Sequence, residues 1–151
     1  MKKITAIILT SVCVIVPVLA QQSERDDLSP EPAVRFAPLH IYLDSGDKPL
    51  AAYQFELKAA AGQIEIVGVE GGEHEAFSEA PYYDPAALAQ DRIIIAAFTT
   101  GRNLPAGRTR IATVHLQIKG DVEPAYELNL IVAGDADGEE IPAELTFEKG
   151  E

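Results

Sequence analysis

The chain has 151 residues, a length suited to one domain, and its 24 acidic residues outweigh 12 basic ones to give a net charge of −12. A surface of that sign repels phosphate backbones and anionic bilayers, which excludes nucleic acid as a partner. The lone cysteine, Cys13, offers no disulfide within the chain, so the fold must rest on its hydrophobic core.

Residues 1–20 carry the parts of a secretory signal peptide. Lys2 and Lys3 give a positive start, an apolar run follows from Ile4, and Val18 and Ala20 occupy the −3 and −1 positions before Gln21. Pro17 ends the apolar helix just before the cut. Cleavage after Ala20 is expected, which makes the protein secreted or periplasmic and leaves it with no membrane anchor. The cut removes Cys13, Lys2 and Lys3 but no acid, so 10 basic residues remain against 24 acidic ones, a net charge of −14. Residues 21–32, "QQSERDDLSPEP", are polar and acidic and read as a disordered leader. The ordered domain is expected over 33–148, with 149–151 as a tail.

From Ala33 onward the hydrophobic period is two. "AVRFAPLHIYLD" reads as one strand, or as two short ones separated at Pro38. "LAAYQFELKA" places Ala51, Tyr53, Phe55 and Leu57 on one face and Gln54, Glu56 and Lys58 on the other. "QIEIVGVE" follows, then "DPAALAQD", where Asp84 caps and Pro85 opens one short helical turn near 84–90. "RIIIAAF" is a fuller apolar run and is expected to be a central strand buried on both faces. In "GRTRIATVHLQIKG" Ala112, Val114, Leu116 and Ile118 point inward, and Thr113, His115, Gln117 and Lys119 point outward. "YELNLIVAG" and "IPAELTFE" complete the set, with Ala143, Leu145 and Phe147 inward in the last. Seven to nine short strands punctuated by turn residues predict an all-β antiparallel sandwich or barrel.

The order "HIYLDSG", "LAAYQFELKA", "IEIVGVEGGEHEAF", "RIIIAAF", "GRTRIATVHLQIKG" and "GDADGEEI" resembles the cohesin family and the related cellulose-binding modules. The similarity runs from about Arg35 to Phe147 and lies mostly in strand-core and turn positions. It implies a jelly-roll-like β-sandwich of about nine strands used for binding, often in connection with polysaccharide degradation. Cohesins bind a dockerin partner through a sheet face, whereas the relatives bind cellulose through a strip of aromatics.

The residues themselves carry no catalytic constellation. "GRNLPAGRT" has the wrong glycine spacing for a phosphate loop and lies between two strands. Asp135, Asp137 and Glu139 in "DADGEE" are weak calcium candidates, because the sixth and twelfth places of the loop lack the glycine and glutamate of an EF-hand. The competing reading is a hairpin turn with Gly138 at positive φ. His40, His74 and His115 lack zinc spacing and read as solvated surface histidines. No cofactor is expected. Tyr82 and Tyr83 sit in "EAPYYDP", a loop between prolines that holds rings outward for stacking, or lets one ring close the end of the sandwich. The leading expectation is a non-catalytic module presenting a sheet face, with His115 and Gln117 on it, to a dockerin-like or other envelope protein. The alternative is a carbohydrate-binding module contacting polysaccharide through Tyr82 and Tyr83.

Overall fold

The computed structural model describes residues 32–150; the expected signal peptide and most of the expected acidic leader lie outside the described residues. Eight strands run in chain order: β1 (Val34–Asp44), β2 (Ala52–Ala61), β3 (Gln63–Gly71), β4 (Tyr82–Tyr83), β5 (Arg92–Phe98), β6 (Arg108–Lys119), β7 (Ala125–Gly134) and β8 (Glu144–Lys149). Two single 3₁₀ turns, Glu75–Phe77 and Pro85–Ala87, flank β4. The strands form two antiparallel sheets of four, a first sheet ordered β3-β6-β1-β8 and a second ordered β4-β5-β2-β7. This is an all-β sandwich. Its core lies between the sheets.

The period-two reading accounts for that core. Tyr53, Phe55 and Leu57 of β2 and Val114, Leu116 and Ile118 of β6 are fully or almost fully buried, together with Leu39, Ile41 and Leu43 of β1. Each such aliphatic side chain contributes roughly 1.5–3 kcal/mol on leaving water. Thr113 is only 3% exposed although it faces outward. β6 is flanked by β3 and β1, and the side chains of His40 and Arg110 close over that threonine.

One alternative is settled and two expectations need correction. First, β1 passes unbroken through Pro38, and the described residues form eight strands, within the seven to nine expected. Pro38 is tolerated because its carbonyl accepts from Gly150 N–H at 2.9 Å on the β8 side, where β8 has already ended. Its own nitrogen points to that same side, so no ladder hydrogen bond to β6 is lost. Second, β5 is not buried on both faces. Ile93 and Ile95 enter the core, whereas Ile94 and Phe98 face solvent, because the outer face of the second sheet has nothing over it among the described residues. Third, the expected tail is structured in part: Lys149 ends β8 opposite Leu39, and Gly150 bonds to Pro38.

Local chemistry sets the irregular points. β6 carries a bulge at Ile111, since Tyr42 pairs with Arg110 and Ile41 with Ala112. The freed carbonyl of Ile111 accepts from the hydroxyl of Tyr53 at 2.9 Å, a bond from the second sheet to the first through the core. The Tyr53 ring packs edge-on against Phe77, 5.1 Å away, which is how the first 3₁₀ turn is anchored. Gly72 fits there because a Cβ would lie 2.1 Å from the Arg110 carbonyl oxygen. At one end of the sandwich Glu123, in the β6–β7 connection, accepts from Lys149 and Arg35, each at 2.6 Å. Those bonds, chiefly the one from Lys149, hold its carboxyl below the ordinary carboxylate range.

Candidate functional site

The four aromatic and polar residues singled out in the sequence do not form one site. Tyr82 and Tyr83 are not in a loop; they make up β4, with Tyr82 opposite Ala96 and Tyr83 opposite Ile95. Strand alternation therefore sends them to opposite faces. Tyr83 is half-buried against the core, and Tyr82 stands 68% exposed on the outer face of the second sheet. His115 and Gln117 lie on β6, on the outer face of the first sheet.

That first face is knit by charge. Arg108 donates to Glu148 at 2.7 Å while its guanidinium covers the Tyr42 ring at 3.7 Å from the centroid. Lys119 pairs with Glu65. His115 Nε2 lies 3.2 Å from Glu70 Oε1, off the line of a hydrogen bond. His40 Nδ1 is 3.1 Å from Thr113 Oγ1, and Arg110 approaches the same hydroxyl at 3.4 Å. Gln117 sits between Phe36 on β1 and Glu65 on β3. His74 is not a free surface histidine, since its Nδ1 accepts from Ala76 N–H at 3.2 Å and caps the first 3₁₀ turn.

The second face is of another kind. Across its four strands one register row reads Tyr82, Ala96, Gln54, Val132, and the neighbouring row reads Phe98, Ala52, Gly134. Ala96 beside Tyr82 and Ala52 beside Phe98 are small, which leaves both rings standing proud. Tyr82 and Phe98, the latter 64% exposed, lie nearly parallel at 12° with centroids 6.0 Å apart. Ile94 continues the apolar surface along β5, and a bulge in β7 turns both Ile131 and Val132 to solvent. Tyr82 is the wall shared by two hollows. One, about 500 Å³, lies over β5 and is bordered by Gln54, Asp84, Arg92, Ile94 and Ala96. The other, about 590 Å³, is more polar and is bordered by Glu75, Ser78, Glu79, Phe98, Thr99 and Thr100. Asp84 is committed to its turn, accepting from Ala86 N–H at 2.9 Å, and Glu75 accepts from Asn103 at 2.6 Å.

Phe98, Ile94 and Val132 escaped the sequence reading. The continuous apolar run of "RIIIAAF" hid the alternation that puts every second residue outside. The calcium candidates belong to a turn: Asp135 Oδ1 accepts from the N–H groups of Asp137 and Glu139, each at 3.0 Å, and Gly138 takes φ +82°. Among the described residues no group of three or more acidic, histidine or cysteine side chains converges on a metal position. Comparison with protein-family models, curated proteins and solved structures finds no match to this chain.

Proposed function

We propose that the chain is an exported, non-catalytic binding module that presents the outer face of the second sheet to a protein partner, dockerin-like or another envelope protein. The observation that carries this reading is the exposed, parallel pair Tyr82 and Phe98, whose rings lie side by side on one sheet face. Contiguous exposed apolar surface marks interaction sites, and aromatic rings are the commonest anchors of protein interfaces. Ile94, Ile131 and Val132 extend the surface with aliphatic side chains, which a protein partner covers and a sugar does not use. A four-stranded face also offers the roughly 800 Å² per partner that a standard interface requires. The cohesin resemblance supports the same use of a sheet face.

A second reading has its own observation. The polar hollow beside the two rings is lined with carboxylates and hydroxyls, the groups that hold a sugar while an aromatic ring stacks on it. Polysaccharide is therefore the alternative ligand.

The test is capture from extracellular and periplasmic fluid by the purified protein, alongside retention on insoluble polysaccharide. The protein is expected to retain a partner, and the Tyr82→Ala, Phe98→Ala double variant to lose it by at least about 30-fold, the effect of removing interface anchors. A His115→Ala, Gln117→Ala variant is expected to bind as the parent does. Loss in that second variant alone would move the site to the first sheet. Retention on polysaccharide that disappears with the rings would replace the protein partner by a sugar.

A further inference from the structure

A sheet edge is a row of unpaired N–H and C=O groups, and folded chains blunt such edges by shortening, covering or charging them. Three of the four edges here are treated in that way. β4 is two residues long. β3 is covered at Ile66, whose N–H donates to Gln90 O at 2.9 Å and whose carbonyl accepts from Ala89 at 2.8 Å. β8 is six residues long and carries Glu144, Glu148 and Lys149. β7 is the exception. Its last turn is covered, because Ala133 O accepts from Ile141 N–H at 2.9 Å. From Ala125 to Val132 the outer edge has no backbone partner among the described residues, and that run holds one charge, Glu127, with no lysine or proline. Its inward side chains are also incompletely covered. Leu128 and Leu130 are half-exposed, although Leu57 and Phe55, which face them on β2, are wholly buried.

We propose that this edge pairs with β7 of a second copy, antiparallel about a two-fold axis through Leu128. Paired residues must lie on the same face of a sheet, so the axis passes through a residue and not between two. With the axis at Leu128, that leucine meets its own counterpart, and Tyr126 meets the partner's Leu130. The inner row is then wholly apolar. On the outer row Glu127 meets the partner's Asn129, so a carboxylate faces an amide and no like charges oppose each other. The paired stretch stops short of the bulge at Ile131, whereas an axis through Asn129 would carry the bulge into the ladder. A second copy is the hardest partner for so acidic a chain, yet β7 brings only one carboxylate in its ten residues. The two second sheets would join into one of eight strands with β4 at either end. Both Tyr82–Phe98 surfaces stay open, so this dimer stands or falls independently of the function proposed above.

Sedimentation equilibrium of the exported protein, with amide exchange on β7, tests the inference. The parent is expected to dimerise, with those amides of residues 126–130 that point away from β2 protected only in the dimer. Asn129→Glu sets two pairs of carboxylates against each other and is expected to weaken the dimer by about tenfold. Asn129 is exposed, so the variant keeps its core. The Glu127→Asn, Asn129→Glu double variant exchanges the two groups at unchanged net charge and is expected to recover the parental dimer. A parent still monomeric at about 100 µM would overturn the inference at that affinity scale. So would an undiminished Asn129→Glu dimer, a folded double variant that fails to recover, or a monomer whose outer-edge β7 amides, those pointing away from β2, are already protected by the chain's own residues.

Discussion

Leu116 and His115 are neighbours on β6 that differ in what surrounds them. Leu116 is 0% exposed and lies opposite Ile66 and Ala37, with the core on its one free side. Truncation to alanine leaves a cavity that a packed interior fills only in part, so Leu116→Ala is expected to cost ~2–5 kcal/mol. His115 faces outward with 38% of its side chain exposed and holds only an off-axis approach to Glu70. Its replacement by alanine is expected to change stability by less than ~0.5 kcal/mol, as at other surface positions. Urea unfolding of the two variants measures both values, and equal costs would mean that β6 buries the opposite face. The same alternation explains why Tyr82 and Tyr83, adjacent in sequence and identical in chemistry, are put to different uses.

Strands meet in this molecule through irregularities as much as through ladders. The bulge at Ile111 releases a carbonyl into the core, and the Tyr53 hydroxyl from the facing sheet satisfies it. Tyr53→Phe keeps the ring and orphans that carbonyl, at an expected cost of ~1 kcal/mol at neutral pH. Burial also pushes the Tyr53 phenol well above its ordinary value. An unfolded tyrosine releases its proton near pH 10, while the folded one keeps it, so the unfolded state binds fewer protons above about pH 10. Stability therefore falls as pH rises through that range, and the Tyr53→Phe variant is expected to lose less over the same interval. Thermal melts from pH 9 to about pH 11 compare the two slopes; identical slopes would remove Tyr53 as the cause. Much of this level was legible beforehand. The alternation in "LAAYQFELKA" and "ATVHLQIK" names the buried face of β2 and β6 directly. In "RIIIAAF" the unbroken apolar run conceals the exposed face of β5, and no alternation says which strand lies alongside. The Tyr82–Phe98 pair was hidden for the same reason, since its rings come from strands whose pairing no local pattern records. Pro38 was ambiguous because its tolerance depends on where β8 ends, more than 100 residues later.

At the scale of the whole molecule the described residues form an acidic, disulfide-free sandwich, and the N-terminal sequence underlies the export proposed above. Intact-mass measurement of the exported protein is expected to give a chain beginning at Gln21, and retention of Met1 to Ala20 would contradict export with cleavage. The position of β1 adds a consequence for how such a protein comes into being. Of the six strand pairings in the two sheets, only β4 with β5 joins consecutive strands. β1 is hydrogen-bonded to β6 and β8, so the first strand made waits for the last. Folding dominated by such distant pairings is slow, because each closes a long loop before any contact rewards it. A chain emerging from the ribosome therefore cannot complete the second sheet before Gly134 is out, nor the first before Lys149. Such late closure leaves the sheets open through most of synthesis, which suits the export proposed above, since a chain crosses a membrane only before it has folded.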